Sequence, residues 1–391
     1  MEQKLSFKSG LLGVSKKLGI LGAGQLGKML AHAAANWDLP LYLLDKSKDF
    51  PAGPYAADFF EGDFKNYDDV LAFGRQMDVV TIEIEHVNTD ALLQLEKEGI
   101  KVHPNPRALN TIKDKGLQKT FYKNRNYPTS EFSLYENAEA IKKAIDQGVL
   151  TFPFVQKSRG EGYDGKGVVV IRNAEGIAQL IDAPSLTEPL VDIDKELAVV
   201  ACRNEAGEVV TFPMVEMEFE PTANLVEFLF CPAAVTPAIE DAGKKIAESL
   251  ITDFDICGLL AVEFFLTKSG KILINEVAPR PHNSGHHTID ANVNSQFDLH
   301  LRGVLNLPLG NTSLIQPGVM INLLGADGFS GPVVYEGVDA LMKESDVHLH
   351  LYGKKETRPF RKMGHATVVH PNLAHAKSVA KNIKNIFKIK S

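Results

Sequence analysis

The sequence predicts a mixed fold: a doubly wound α/β domain at the N-terminus, a larger α+β region in the middle, and a small β-rich C-terminal domain with a terminal helix. Three observations support it. Strand-like and helix-like patterns alternate to about residue 120, strand follows strand after Pro128, and a helical pattern covers residues 372–387. We expect domains at residues 17–122, 123–315 and 316–391.

The first domain opens with a short apolar run at Lys17, a glycine turn, a helix rich in Ala, Leu and Met, and a second apolar run that ends at Asp45. This is the pattern of a βαβ unit. Strand-like runs at 79–84 and 99–102, separated by a helical pattern at 89–97, predict that a parallel sheet continues.

The middle region predicts antiparallel pairing, because its strand-like segments follow one another with few helices between them. We expect strands at 152–157 and 168–172, hairpins within 196–215 and 260–277, and helices near 137–147 and 239–254.

Composition narrows the functional classes. The chain has 391 residues, of which 44% are hydrophobic and 23% charged, as in soluble enzymes. Its net charge of −7 provides no positive field for nucleic acid or an anionic membrane, so neither is expected as a partner. The three cysteines lack CxxC spacing, and no signal peptide or membrane-spanning run is evident. We expect a cytoplasmic protein.

Two glycine-rich segments could bind phosphates. Gly22, Gly24 and Gly27 match the dinucleotide fingerprint, with Asp45 placed to hold a ribose hydroxyl, although such a turn can serve other anions. Residues 157–167 nearly match a P-loop, but Gly167 stands where a hydroxyl is needed and a strand follows where a helix is required. This segment instead predicts a hairpin flap over triphosphate oxygens, or an ordinary glycine-rich turn.

A pair of glutamates predicts a metal site. If Ser269 and Gly270 form a two-residue loop, Glu263 lies directly opposite Glu276 in a hairpin. Like charges placed so are destabilising unless a cation lies between them, and carboxylates with substrate phosphates suit Mg²⁺. Asn275 could add a ligand or a nucleotide contact. The alternative is a solvated face with unrelated acids.

A polar loop, APRPHNSGHH, follows this hairpin. Its His282, His286 and His287 raise a zinc hypothesis, but no HExxH signature accompanies them. A polar loop beside a magnesium site is the favoured interpretation.

These motifs together resemble the ATP-grasp ligases, and in detail the family of 5-(carboxyamino)imidazole ribonucleotide synthases of purine biosynthesis. The likeness spans residues 17–370 and includes GAGQLG, GYDGKG, INEVAPRPHNSGH, SQFDLHLR and HLYGKKETRPFRKMGH. It implies an N-terminal pre-ATP-grasp domain, an ATP-grasp domain whose halves clamp ATP, a small C-terminal domain, ATP and Mg²⁺ as cofactors, and a homodimer.

The resemblance also assigns residues by motif position. ATP would contact Lys115, Lys157, Gly162, Tyr163, Asp164, Gly165, Lys166, Gly167, Val168, Glu188, Pro189, Leu190, Val191, Glu196, Glu216, Asn275 and Glu276. The ribonucleotide would contact Gln25, Arg280, His282, Lys354 and Arg361, together with Tyr163 and Asp164 from the flap. Tyr163, Asp164, Arg280 and His282 are the catalytic candidates, and Glu263 and Glu276 the metal ligands.

The implied reaction converts ATP, bicarbonate and 5-aminoimidazole ribonucleotide into the N-carboxylated ribonucleotide, ADP and phosphate. Three features depart from the family pattern: Lys115 replaces a common Arg, Phe360 a common Gly, and EIEHVN a more usual EFENVP. Three alternatives stay open: a ligase for another purine precursor or a carboxylate, an NAD-dependent oxidoreductase, and a nucleotide-binding module without catalysis.

Overall fold

The computed structural model describes residues 16–160, 167–220 and 225–391. Its N-terminal region alternates strands and helices, as predicted, although the sequence patterns do not predict the third strand or the second helix. The elements are β1 (Leu18–Leu21), α1 (Gln25–Ala35), β2 (Leu41–Asp45), β3 (Asp58–Glu61), α2 (Tyr67–Gly74), β4 (Val79–Ile82), α3 (Thr89–Lys97), β5 (Lys101–Val102), α4 (Pro106–Lys113) and α5 (Lys115–Asn124).

The five strands form a parallel sheet in the order β3-β2-β1-β4-β5. This is a doubly wound arrangement, so the predicted fold class is confirmed. In such sheets the ligand crevice lies at the carboxyl ends of the strands, where the order reverses. The turn that begins at Gly22 follows β1 at this edge.

A small antiparallel sheet comes next. Its elements are β6 (Ser133–Tyr135), α6 (Ala138–Asp146), β7 (Phe154–Ser158), β8 (Val168–Ile171) and β9 (Ser185–Pro189). The strand order is β6-β9-β7-β8, and β7 pairs antiparallel with β8 on either side of the glycine-rich segment, as predicted. The segment itself, with the predicted ligands Gly162, Tyr163, Asp164, Gly165 and Lys166, lies outside the described residues.

A large sheet occupies the centre of the molecule. Its first part contains β10 (Ile193–Arg203), β11 (Val209–Thr211), β12 (Val215–Glu220), β13 (Leu225–Cys231), α7 (Pro237–Asp253), β14 (Gly258–Thr267), β15 (Ile272–Ala278), α8 (Thr288–Ala291) and α9 (Gln296–Val304). Thr236 caps α7, while Ser295 and Asp298 form a capping box at α9, which explains where these helices begin.

The C-terminal elements extend this sheet. They are β16 (Gly318–Leu324), β17 (Gly331–Pro332), β18 (Val334–Glu336), α10 (Val338–Leu341), β19 (Val347–Leu351), β20 (Glu356–Thr357), β21 (Lys362–Val369), α11 (Leu373–Ile386) and β22 (Lys388–Lys390). The sheet order β15-β14-β10-β12-β13-β16-β21-β19 runs across the predicted boundary at residue 316. The C-terminal segment therefore shares its sheet with the middle region, and its last helix is followed by a strand.

On one face of β10 and β14, apolar side chains pack on α9 through Leu299, and Glu263 lies farther along that face. The other face is apolar and packs on α7 through side chains such as Val199, Leu250 and Phe264. Helix α9 packs with α1 on the N-terminal sheet through Phe297 and Leu301, which joins the two regions. In the described part of the chain, none of the helices combines the length and apolar character that crossing a bilayer requires.

Candidate active site

The paired glutamates lie opposite each other in the β14-β15 hairpin, and this prediction is confirmed. The two-residue loop from which it was reasoned is wrong. Thr267 N–H donates to the Lys271 carbonyl at 2.8 Å, so the loop has three residues. That shift of one position is reversed by a β-bulge at Asn275, just before Glu276.

The electrostatics of this pair indicate a place for a cation. The pKa of Glu263 is raised, first by burial and then by the neighbouring charges of Glu276 and Glu196. The Glu276 side chain is 43% exposed, against 13% for Glu263, so Glu276 is the more accessible of the two carboxylates. Two carboxylates beside each other suit a hard divalent cation with oxygen ligands.

Lys115 lies directly at the pair. Its Nζ is 2.5 Å from Glu276 Oε2. Burial acts to raise the pKa of Glu276, but the charge and hydrogen bond of Lys115, helped by Lys157, outweigh it and hold that pKa at about 2. Lysine at this position thus supplies the positive charge beside the carboxylate pair.

A buried lysine network continues from there. Lys157, on β7, lies 2.8 Å from Glu188 Oε2 and 2.9 Å from Asn275 Oδ1. Glu188 also pairs with Lys119, and both of these side chains are under 5% exposed. The Glu188 carboxylate therefore holds Lys157 in place, because buried charges persist only when they are paired.

Glu196 and Glu216 line the same sheet. Burial raises the pKa of Glu196 to about 7, with the charge of Lys157 acting against it. Glu216 instead pairs with Lys195 at 2.8 Å and accepts the Ala234 N–H. The negative charge of Glu196 is therefore less well compensated than that of Glu216.

The polar loop adds a cation and an imidazole. Arg280 Nε lies 2.7 Å from Glu85 Oε1, in the N-terminal domain. His282 Nε2 lies 3.7 Å from Glu263 Oε1, while its Nδ1 lies 2.9 Å from Ser284 Oγ. Burial, with the charges of Arg280 and Lys362, lowers the pKa of His282 to about 4, so this ring is neutral at pH 7.

The zinc hypothesis for this loop is not supported. His286 and His287 are buried, His286 packs between Phe297 and His365, and among the described residues this loop contributes to no group of three metal-ligating side chains. Burial is the first cause of the lowered pKa of both rings.

The dinucleotide hypothesis for the first glycine turn is wrong. Its backbone donors already bind the chain's own acids: the Gly24 and Gly27 N–H groups donate to Glu83, the latter at 2.6 Å, and Ala23 N–H donates to Asp45 at 2.8 Å. Asp45 is 6% exposed. A pyrophosphate could take these N–H groups only by displacing a carboxylate, and the burial of Asp45 disfavours a contact with a ribose hydroxyl.

The predicted phosphate ligands of the C-terminal segment, Lys354 and Arg361, make different contacts. Lys354 donates to the Lys362 carbonyl at 2.6 Å and lies over the Tyr352 ring. Arg361 is more exposed and donates to the Glu356 carbonyl at 2.7 Å. Phe360, before it, has φ 61, the left-handed region in which glycine is unstrained, which accounts for the glycine more usual there.

The remaining residues assigned by motif lie at or near the ends of helices and strands. Gln25 is the first residue of α1, at the crevice edge. Pro189, Leu190 and Val191 follow the buried Glu188 and are partly or fully exposed. Gly167 and Val168 lie where β8 begins.

Four charged residues received no role from the sequence: Lys119, Glu85 and Lys362 at the site, and Glu83 at the glycine turn. Lys119 lies one turn after Lys115 on the same helix face, which is a usable signal. The charge of Lys362 acts on both Glu263 and His282, but no local pattern distinguishes this lysine from its neighbours.

Three family models match the chain: a ribonucleotide synthetase preATP-grasp domain at residues 15–113, an ATP-grasp domain at 120–297, and a phosphoribosylaminoimidazole carboxylase C-terminal domain at 318–379. The chain spans just under two thirds of the length of the phosphoribosylaminoimidazole carboxylases of fungi that it matches, 66% for that of Ogataea methanolica.

Closer in length is the N5-carboxyaminoimidazole ribonucleotide synthase of Bacillus subtilis, 34% identical over 90% of both chains. The crystal structure of the N5-carboxyaminoimidazole ribonucleotide synthetase of Thermotoga maritima has a TM-score of 0.88 and 39% identity, covering 96% of this chain and 99% of that one. An N5-carboxyaminoimidazole synthase of Aspergillus clavatus, in complex with ADP and 5-aminoimidazole ribonucleotide, has a TM-score of 0.86 and 31% identity, covering 95% and 98%.

Proposed function

Because this chain belongs to the family of N5-carboxyaminoimidazole ribonucleotide synthases, we propose that it joins bicarbonate to the exocyclic amine of 5-aminoimidazole ribonucleotide, with cleavage of ATP to ADP and phosphate. One observation supports this most directly. Around the Glu263–Glu276 pair, Lys115 contacts Glu276, Lys157 contacts the adjacent Asn275, and His282 of the polar loop approaches Glu263. Lysines that could bind phosphates, carboxylates that could bind a metal ion, and a polar loop that could contact the acceptor substrate are therefore neighbours.

The acids fit Mg²⁺. Glu263 and Glu276 would hold it, with Asn275 beside them, since Mg²⁺ binds one or two carboxylates together with substrate phosphates. When bound, the ion would spread the charge on the transferring phosphoryl oxygens. Burial, followed by the charges of Glu276 and Glu196, raises the pKa of Glu263, and a bound cation would act against this shift.

The chain's own groups would orient the reactants. A bicarbonate oxygen attacks the γ-phosphorus, the bond to ADP breaks, and carboxyphosphate forms. The amine nitrogen then bonds to the carbon, phosphate leaves, and the amine loses a proton. Lys157, held by Glu188 and Asn275, would position the phosphates as a point charge.

His282 would meet the amine as a neutral imidazole. Its Nδ1 accepts the Ser284 N–H, so at neutral pH, above the pKa of about 4, the ring carries its proton on Nε2 and would orient a reactant by donating from that nitrogen. Arg280 is held by Glu85 and so presents a fixed cation to the acceptor. Tyr163 and Asp164 of the flap remain catalytic candidates by motif.

The ribonucleotide phosphate would bind between the N-terminal domain and the C-terminal segment. Lys28, on α1, donates to the Leu351 carbonyl at 2.9 Å, and Lys355 lies 2.8 Å from Asp49, so this segment borders the helix that Gln25 begins. Lys354 and Arg361 are the proposed phosphate ligands.

Replacing these ligands tests that assignment. Because a charge-assisted hydrogen bond contributes about 1.5–3 kcal/mol, Lys354→Ala or Arg361→Ala should raise the KM for the ribonucleotide roughly ten- to hundredfold and leave the KM for ATP nearly unchanged. Lys388→Ala, an exposed lysine of the same segment, is the control. A rise in the KM for ATP alone would assign the segment to the nucleotide instead.

The activity itself is tested by phosphate release from ATP with Mg²⁺ and labelled bicarbonate, with and without 5-aminoimidazole ribonucleotide. We expect release and label incorporation that depend on both. Release that needs another amine or a carboxylate would identify a different ligase. Nucleotide binding without release for any acceptor would indicate a binding module.

We further propose a cytoplasmic homodimer. All three cysteines, Cys202, Cys231 and Cys257, are buried free thiols, which suits a reducing compartment. The dimer is inferred from the family resemblance, and light scattering coupled to size-exclusion chromatography would measure it.

A further inference from the structure

The described residues contain one group of three metal-ligating side chains that the proposed reaction does not use: Asp346, His370 and His375. Asp346 immediately precedes β19, His370 follows β21, and His375 lies in the first turn of α11. One ligand atom from each lies within 4.8 Å of the other two. Three separate elements therefore direct donor atoms to one point.

We propose that these three residues, the C-terminal histidine cluster, form a second metal site that binds Zn²⁺ or a similar borderline cation. Two imidazoles and a carboxylate are a donor set that suits Zn²⁺, whereas Mg²⁺ prefers oxygen ligands alone. Three protein ligands leave a fourth position for water, which the partly exposed setting allows.

One of the three ligand separations is already close to that of a tetrahedral zinc site, and the other two lie within 4.8 Å. Zn²⁺ lies about 2.0–2.2 Å from nitrogen and carboxylate ligands, which separates tetrahedral ligands by about 3.4 Å. His375 Nε2 and Asp346 Oδ2 are 3.6 Å apart, too far for a good hydrogen bond but close to that separation. The rings of His370 and His375 have centroids 4.3 Å apart.

Neighbouring groups orient two of the ligands. His370 Nδ1 accepts the Asn372 N–H at 3.0 Å and lies 3.3 Å from the Asn372 carbonyl, so the Asn372 backbone fixes this ring; metal binding through Nε2 would move the proton to Nδ1, where the carbonyl can accept it. Ser345 Oγ lies 3.2 Å from the Asp346 carboxylate. The chain thus supplies outer partners as well as ligands.

The cluster is remote from the carboxylate pair. Lys362, which acts on Glu263, begins β21, and His370 follows the other end of this eight-residue strand. At about 3.3 Å per residue the two ends are some 23 Å apart. The proposal is therefore independent of the proposed function, and a cation here would tie α11 to the edge of the large sheet.

Zinc binding by the full-length protein tests it. After chelation and exchange, Zn²⁺ is titrated by calorimetry in excess Mg²⁺, which occupies the carboxylate pair. We expect one equivalent bound by the wild type, a loss of affinity of at least about tenfold to a hundredfold in His375→Ala and Asp346→Asn, and no change in His348→Ala. His348 is the matched control, since it is half-exposed on β19 and lies near Asp290.

Substitution with Co²⁺ gives a second measurement. Visible absorption bands of tetrahedral Co²⁺ should appear in the wild type and in Glu263→Gln, and disappear in His375→Ala. Absence of Zn²⁺ binding by the wild type at 100-fold excess would overturn the proposal. So would equal binding by His375→Ala, Asp346→Asn and the wild type.

Discussion

Two pairs of acidic side chains in this molecule are satisfied in different ways. Asp45 and Glu83 lie at the carboxyl ends of parallel strands and accept backbone N–H groups of the glycine turn. Glu263 and Glu276 face each other across an antiparallel hairpin, where the nearest cation is the Lys115 side chain at 2.5 Å from Glu276.

The difference separates a structural role from a functional one. Backbone donors are fixed and cannot leave, so the first pair closes a helix N-terminus against other anions. The second pair is compensated by the Lys115 side chain, and burial with neighbouring negative charges raises the pKa of Glu263, which a bound cation would lower.

The largest expected effect is on turnover. Glu276→Gln or Glu263→Gln replaces a metal-binding carboxylate with a neutral amide, so we expect turnover to fall by at least about a thousandfold, or 4 kcal/mol of barrier. Glu263→Gln should lose little stability, because a like-charge contact is relieved, whereas Glu276→Gln should be destabilised because it removes the ion-pair partner of Lys115. Phosphate release at limiting Mg²⁺ measures the first effect and urea unfolding the second.

Glu218→Gln is the matched control, since Glu218 is exposed on β12 in the same sheet. Near wild-type turnover in either hairpin variant would remove the distinction between the two pairs.

The opposite outcome is expected at the glycine turn. Glu83→Gln leaves at least one buried N–H of Gly24 or Gly27 without its acceptor, so the free energy of unfolding should fall by about 1–3 kcal/mol. The Kd for ATP should not change. Denaturant unfolding and nucleotide titration measure the two, with Glu61→Gln, exposed on β3, as the control. A variant that is fully stable yet fails to bind ATP would reverse the roles assigned to the pairs.

A smaller, pH-dependent effect is expected at Glu196. Its pKa is raised to about 7 from 4.5, so its ionised form disfavours the folded state. The associated stability is present below pH 4.5 and is lost as pH rises through 7. Relative to pH 4.5, Glu196→Gln should therefore gain on the order of 2 kcal/mol over the wild type by pH 8, after allowance for partial exposure. If the difference in unfolding free energy between the two proteins did not change with pH, burial would not disfavour the ionised form of Glu196.

Local patterns in the sequence predict most of the strands and helices and the main motifs. Alternating strand and helix patterns predict the doubly wound sheet, and the β-branched run after Gly167 correctly excludes a P-loop, since it forms β8. Periodicity and β-branching act over a few residues, so they can be recognised without knowing the fold. Residue types also indicated the carboxylate pair, although its register was right only because a longer loop and a bulge cancel.

The hydrogen bonds and ion pairs between residues far apart in the sequence are visible only in the folded structure. The contacts of Glu83 with the glycine turn, Glu85 with Arg280, and Lys119 with Glu188 join residues from 56 to 195 positions apart. The continuity of the large sheet into β16 is of the same kind. Such pairings depend on strand order, register and the packing of whole elements, and no local pattern carries that information. For this reason the same residue type, glutamate, accepts the N–H groups of a turn at one place and is proposed to bind a cation at another.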